Sequence, residues 1–254
     1  MDIYRGKLEL LDYVFFATVE RGKVYETGAF IHNYALAYAL KLAVAPYSQR
    51  QQKPNYAEEL GDLNRRGVYL TPARPIQVFY RLVQWNTIRE SYGLGKKPQS
   101  IGYPDWGFAR VLRPGSVFEF YILVEDPTQL PTSPAFRDLL AGHHAHVRLG
   151  KFPAKARLRV IRAQHVELKN GTFAVGVTAT RGQEGEIPSA APLLLNWRDM
   201  RADPIVCDVY PATLPTRLIA NPRFGEKSDY YIAQFAEKDW VTLPSGMQFL
   251  IRGT

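Results

Sequence analysis

The sequence predicts a sheet-rich α+β fold, and three patterns carry that prediction. Val147 and Leu149, then Leu158 and Val160, alternate with Arg148 and with Arg157, Arg159 and Arg162. This period near two puts apolar groups on one side of a strand and cations on the other. Asn170-Gly171 separates two further strand patterns, and a tight hairpin needs positive φ at both of its turn residues. Against these, the clearest helical period is Ala29 to Ala43, where Ile31, Tyr34/Ala35, Tyr38 and Leu42 recur at spacings of three and four.

In chain order, Ile3 to Phe16 reads as a first strand carrying Tyr4, Leu8, Leu10, Tyr13 and Phe15. The helix follows, with Thr27 expected as its cap and Pro46 as its stop. Tyr47 to Arg66 reads as polar and irregular. Gly67 to Pro72 is a short strand, and Ile76 to Ile88 a longer one. Ser91 to Pro104 holds three glycines, two prolines and the pair Lys96-Lys97, the composition of a projecting connection. Trp106 to Leu112 and Val117 to Glu125 return as strands. Pairing Ile76–Ile88 with Trp106–Leu112 makes the Gly-rich segment the tip of a long hairpin.

Pro127 to Pro134 reads as a linker, and Ala135 to Ala141 as a short helix ended by Gly142. The basic stretch comes next. Arg148 to Arg162 contains six cations and no acid, with Gly150 and Pro153 making a loop at its centre. The strand from Arg157 to Leu168 then enters the Asn-Gly turn and returns as Phe173 to Ala179. Leu193 to Trp197, Ile205 to Tyr210, Arg217 to Ala220 and Tyr230 to Phe235 are further strands. Lys238–Leu243 and Met247–Ile251 flank Pro244-Ser245-Gly246 as a last hairpin.

Composition narrows the function classes. The 254 residues carry a net charge of +8 and a pI near 9.5, which favours an acidic partner. No basic amphipathic helix marks a membrane surface, and no apolar run approaches the roughly 20 residues of a membrane helix. With no signal-peptide pattern, a cytoplasmic location is expected. The lone Cys207 allows no internal disulfide and no zinc-type spacing. No Walker loop, dinucleotide-binding glycine fingerprint, nucleophile elbow or HExxH motif occurs.

The chemistry therefore centres on the basic stretch. Ordered cations around a backbone-exposing glycine suit a phosphate backbone, bound through charge and N–H donors. His143, His144 and His146 lack a nearby carboxylate or cysteine beyond Asp138, so no metal or other cofactor is expected. Lys96, Lys97 and Trp106 can meet nucleic acid by charge and stacking, or form a solvated tip with a core Trp. His32 and Tyr34 on the helix read as packing residues. The same residue types, with His144, would also serve metal-independent RNA cleavage, as base for a 2′-hydroxyl or acid for the leaving oxygen. Asp199, Asp203 and Asp208 read as loop-start and strand-end acids.

Several runs together resemble a known family. They are Tyr4 to Phe16, Tyr25-Glu26-Thr27, His32-Asn33-Tyr34-Ala35-Leu36-Ala37-Tyr38-Ala39-Leu40 and Gly67-Val68-Tyr69-Leu70-Thr71-Pro72-Ala73. Arg148-Leu149-Gly150-Lys151-Phe152 with Lys155-Ala156, Trp106 to Arg110, Gly115 to Phe120 and Leu243 to Met247 extend the match. The chain resembles the Csc-one family, the Cas-five-type RAMP subunit of type I-D CRISPR Cascade complexes. The resemblance implies one RAMP-type unit over 1–254: a ferredoxin-like (RRM-type) core, a thumb hairpin at about 76–112, and a β-rich part over 131–254. It implies a non-catalytic subunit that caps the 5′ handle of the crRNA. Its implied partners are a Cas-seven-type backbone subunit, a Cas-ten-type large subunit, and target double-stranded DNA near the PAM. On that basis Arg148, Gly150, Lys151, Lys155, Arg157 and Arg159 hold handle phosphates. Lys96, Lys97, Trp106 and Arg110 belong to the thumb. An endoribonuclease acting through His32, Tyr34 and His144 is the alternative.

Overall fold

A computed structural model describes residues 1–21, 24–43, 55–87, 105–131, 133–150, 154–178, 192–210 and 217–252. The first half runs β1 (Asp2–Leu10), β2 (Val19–Arg21), β3 (Val24–Glu26), α1 (Asn33–Ala39), α2 (Tyr56–Glu59), α3 (Gly61–Arg65), β4 (Val68–Leu70), β5 (Arg74–Gln77), β6 (Tyr80–Thr87), β7 (Asp105–Leu112) and β8 (Val117–Val124). The second half runs α4 (Pro134–Leu140), β9 (Ala145–Leu149), β10 (Ala154–Arg162), β11 (His165–Asn170), β12 (Phe173–Ala174), β13 (Gly176–Thr178), β14 (Leu194–Asn196), β15 (Val206–Val209), β16 (Leu218–Phe224), β17 (Asp229–Ala236) and β18 (Asp239–Pro244). This is the mixed, strand-rich α+β architecture that the alternating patterns predict.

The main sheet has the order β4-β8-β1-β10-β9, and β5 also pairs with β8. Each neighbour pair is antiparallel. Alternation decides its two faces. Tyr4, Leu8 and Leu10 of β1, Phe118, Phe120 and Ile122 of β8, and Ala156 and Leu158 of β10 are buried on one side. They join Leu36, Ala37 and Leu40 of α1 and Phe136 and Leu139 of α4 in a single core. Gly6 is required inside this layer, because a Cβ there would lie 2.4 Å from the Phe120 ring. The opposite face carries Lys7, Glu9, His146, Arg148, Lys155, Arg157 and Arg159.

A second sheet, β2-β3-β7-β6, has one parallel pair, β3 with β7. Two more sheets fill the C-terminal half: β11-β17-β18-β13, and β12-β16-β14 with β15 also on β16. Phe173 ties them together, stacked on Phe224 at 4.7 Å and on Tyr230 at 4.4 Å between ring centres. Arg5 of β1 ties the main sheet to β18. Its guanidinium donates to both oxygens of Asp239 at 2.5 and 2.6 Å and lies 4.2 Å from the Phe235 ring centre.

Tertiary pairing overrides local pattern at several points. The first strand ends at Leu10, not Phe16, because Val14 leaves to exchange both backbone hydrogen bonds with Leu112 of β7. The expected helix 29–43 forms only over Asn33–Ala39. Ile31 is instead bridged to Ala73, and the cap is His32, whose Nδ1 accepts from the Tyr34 N–H at 3.2 Å. The helix stops well before Pro46. Lys41 adopts φ 57°, and the Leu42 and Lys41 N–H groups return to the Ala37 and Tyr38 carbonyls, a Schellman closure. Within Tyr47–Arg66, the irregular expectation gives way to α2 and α3.

Ile76–Ile88 is two strands. β5 belongs to the main sheet and β6 to the second, with the switch at Val78-Phe79. The pairing of this region with 106–112 does form, from Tyr80↔Leu112 to Thr87↔Asp105; its connection, 88–104, lies outside the described residues. Arg157–Leu168 likewise divides. Ala163 still bonds Ile3, and Gln164 bonds Gln234 of β17. The Asn-Gly hairpin does not form. Gly171 has φ 142° but Asn170 is not in the positive region, so β11 pairs with β17 while β12 goes to β16. The last hairpin is β17–β18, and 247–250 turns inward with Met247 and Phe249 buried.

Candidate nucleic-acid interface

The open face of the main sheet is a grid set by register. One row across the strands is Arg74–Glu119–Lys7–Arg159, the next Glu9–Arg157–His146, and the third Lys155–Arg148 with Leu11 beside Lys155. Neighbours stand about 4.8 Å apart across strands and about 6.7 Å apart along them. Lys7, Arg148, Lys155, Arg157 and Arg159 at that pitch outnumber Glu9 and Glu119, so the face is net positive. The alternation 146–159 legibly predicts its β9–β10 half. Lys7 is a member that sequence reasoning missed, although it alternates with Gly6 and Leu8 in the same period.

The cations differ in how free they are. Arg157 donates to Glu9 Oε2 at 2.5 Å. That hydrogen bond, opposed by slight desolvation and aided by the Arg157 charge, holds the Glu9 carboxyl below its ordinary range. Arg159 donates from Nε to His144 Nδ1 at 2.8 Å. Desolvation, then the charges of Arg159 and Arg157, keeps the His144 pKa low, so it acts as an acceptor here. Among the described residues Lys7, Arg148 and Lys155 make no ion pair within 4.0 Å. Arg74 and Glu119 satisfy each other at 2.7 Å near the closed end of the face.

Gly150 has a structural reason of its own. Its φ is +85°, and a Cβ would lie 2.9 Å from the Phe15 carbonyl oxygen. Gly150 thus presses against the chain leaving β1, next to the cross-strand pair Arg148 and Lys155. Lys151, Lys96 and Lys97 lie outside the described residues. Trp106 and Arg110 are both on β7, in the second sheet and not on the grid. The Arg110 guanidinium sits 3.9 Å from the Tyr80 ring centre and 3.9 Å from Glu26.

His32 and Tyr34 are not brought to His144. His32 caps α1, with burial lowering its pKa to about 4, which keeps the ring neutral. The Tyr34 hydroxyl donates to Asp199 Oδ1 at 2.9 Å. Asp199, expected at a loop start, is instead fully buried. It also accepts from Asn33 Nδ2 at 2.7 Å, the Tyr69 hydroxyl at 3.1 Å and the Leu250 N–H at 2.9 Å. Burial pushes its pKa up to about 6, against the pull of those four donors. Burial, then the Asp199 charge, raises both tyrosines. The one available sequence signal was the apolar run Leu193-Leu194-Leu195 just before it. Among the described residues no three His, Cys, Asp or Glu side chains gather as a metal site, and no helix is long and apolar enough to cross a membrane.

Comparison with known proteins adds the following. The family described as "Type I-D CRISPR-associated protein Cas5/Csc1" matches residues 1–252. No curated protein matches the chain. Among solved structures, a CRISPR protein from Archaeoglobus fulgidus aligns at 14% identity over 96% of this chain and 100% of its own, with a TM-score of 0.40. A chain of the type III-B Cmr-beta complex bound to cognate target RNA and AMPPnP aligns at 10% identity over 94% and 86%, TM-score 0.39. A chain of a type IV-B CRISPR complex aligns at 10% identity over 73% and 94%, TM-score 0.32.

Proposed function

The chain belongs to the type I-D CRISPR-associated Cas5/Csc1 family, and from that premise we propose that it is a non-catalytic crRNA-binding subunit of a type I-D Cascade complex. It caps the 5′ handle of the crRNA, contacts the Cas-seven-type backbone subunit and the Cas-ten-type large subunit, and assists PAM recognition on target double-stranded DNA. The observation that carries the reading is the open grid of Lys7, Arg148, Lys155, Arg157 and Arg159 on a sheet whose other face is packed by α1 and α4. Of these, Lys7, Arg148 and Lys155 make no ion pair among the described residues, and such cations attract phosphates and release counterions when they bind them.

In this reading β1, α1, β4, β8, α4 and β10 make up a ferredoxin-like core to which β9 is added, and the pairing order β4-β8-β1-β10 supports it. The β6–β7 hairpin is the thumb in this reading, and the chain acts as one RAMP-type unit in the cytoplasm. Gly150 serves by holding the β9–β10 turn, and Lys151 by adding charge to it. Lys96, Lys97, Trp106 and Arg110 act from the thumb.

The test is binding of handle RNA by the purified chain across a salt series. Replacing both Arg148 and Lys155 with Glu is expected to weaken binding and to flatten the dependence of log K on log salt by about 1.4, at about 0.7 per phosphate contact on a single strand. Unchanged affinity and slope in that variant would remove the open face from the RNA path. Incubation of repeat RNA with the chain in EDTA tests the non-catalytic part, and a defined cleavage product would overturn it.

A further inference from the structure

Beyond the third row of the grid the surface changes character. Leu11, opposite Lys155, is 39% exposed, and Tyr13 and Phe79 close by are 38% and 41% exposed. Large rings are normally core residues here: Phe30, Phe118, Phe120, Phe136, Phe224 and Phe249 are all fully buried. Yet the Tyr13 ring and the Phe79 main chain are both held. Arg81 donates to the Tyr13 hydroxyl at 2.8 Å and places its guanidinium carbon 5.6 Å from the ring centre. Val14 bonds Leu112 on both sides of its peptide, which anchors the residue after Tyr13. The Phe79 main chain is fixed by its N–H to Ser116 Oγ at 3.0 Å and by the Arg113 N–H on its carbonyl at 2.9 Å, which sets where its ring emerges.

We propose that Tyr13 and Phe79, with Leu11 between them and the grid, form a stacking ledge for unpaired bases of a single strand whose phosphates run over Lys155 and Arg148. The inference rests on the nucleic-acid reading above and adds a site to it. Stacking needs a rigid exposed π-face beside a track of cations. Both are present: Arg81, Arg113 and Lys155 border the ledge and are exposed, while the adjacent acid Asp12 is turned to the Tyr13 N–H at 2.7 Å. Arg81 approaches the Tyr13 ring as a cation, which leaves the remaining ring surface for a base.

The test uses the full chain and short labelled single-stranded RNA and DNA of one sequence, read by fluorescence anisotropy. Tyr13→Ala with Phe79→Ala is expected to weaken binding about tenfold or more, with an unchanged salt slope. Tyr13→Phe, which keeps the ring, is expected to bind within about twofold of the parent chain on the same stacking argument. Abasic substitution along the oligonucleotide should find a position that reproduces the loss and makes Tyr13→Ala silent. The RNA and DNA arms identify which strand the ledge takes. Melting curves matching the parent chain establish that the variants are folded. Parent-like binding by the double alanine variant overturns the ledge while leaving the basic face intact. So does a variant that binds normally but fails to join a protein partner. A parent chain that binds neither strand overturns both this inference and the function it rests on.

Discussion

Replacing Asp199 tests the buried junction on which the two halves of the chain meet. Its carboxylate accepts from Asn33 and Tyr34 of α1, Tyr69 of β4 and the Leu250 N–H of the C-terminal segment. Asp199→Ala takes this acceptor from the Tyr34 and Tyr69 hydroxyls and the Leu250 N–H, and leaves Asn33 Nδ2 only the Tyr69 oxygen at 3.3 Å. Orphaned buried groups cost about 1–3 kcal/mol each, and because the losses overlap the total should be about 3–5 kcal/mol. For a chain of this size that is a fall in Tm of about 10 °C. Asp199→Asn keeps one acceptor oxygen, and the Tyr69 hydroxyl can turn to accept from the new amide, so its loss should be about 1–2 kcal/mol. Urea and thermal denaturation followed by circular dichroism measure both. If Ala costs no more than Asn, or if neither moves the midpoint, the carboxylate does not hold the junction.

The same residue gives a pH dependence. The unfolded chain releases the Asp199 proton near 3.8, whereas the folded chain keeps it to about 6. Folded protein therefore binds more protons between those values. The contribution is full below about pH 4 and lost as pH rises through about 6, an effect of about 3 kcal/mol at most. His32 has the opposite sense. Burial lowers it from 6.5 to about 4, so its contribution is present above about pH 6.5 and lost as pH falls to about 4. The two oppose each other in the parent chain. Asp199→Asn should expose the histidine, giving stability that climbs more steeply between pH 4 and 6.5; a flat profile in that variant would refute the His32 contribution. Gly6→Ala forces a methyl to within 2.4 Å of Phe120 and should cost about 1–3 kcal/mol by overpacking, seen as a lower urea midpoint. Gly150→Ala must hold φ near +85° against the Phe15 carbonyl. It should cost about 1–3 kcal/mol and weaken RNA binding in step with any loss of the β9–β10 turn.

What could be read early was whatever depends on near neighbours in the chain. The alternation 145–160 reported the β9–β10 pair and the side its cations take, because side-chain direction in a strand follows from position alone. The short helix at 134–140 and the pairing of 80–87 with 105–112 were legible for the same reason. His32 and Tyr34 were visible as a pair on a helix. The engagement of Tyr34 with Asp199, 165 residues further on, was not.

The limits fall where a residue's partner is distant. Val14, Ile31 and Gln164 each end an expected element because a distant segment offers its backbone groups a better partner, and unpaired backbone groups are too costly to leave in a core. Asn170-Gly171 looks like a hairpin turn until β17 captures β11. By itself the sequence determined the class of fold, the family, the basic character of one strand pair, and the residues at which the chain can bend. Tertiary structure alone decided that Lys7 joins those cations, that Arg157 is held by Glu9, that Asp199 is buried, and that Tyr13 and Phe79 stand open beside Lys155. Local sequence sets which way a side chain points, but sheet register sets what it points at, and register is fixed by pairings made across the whole chain.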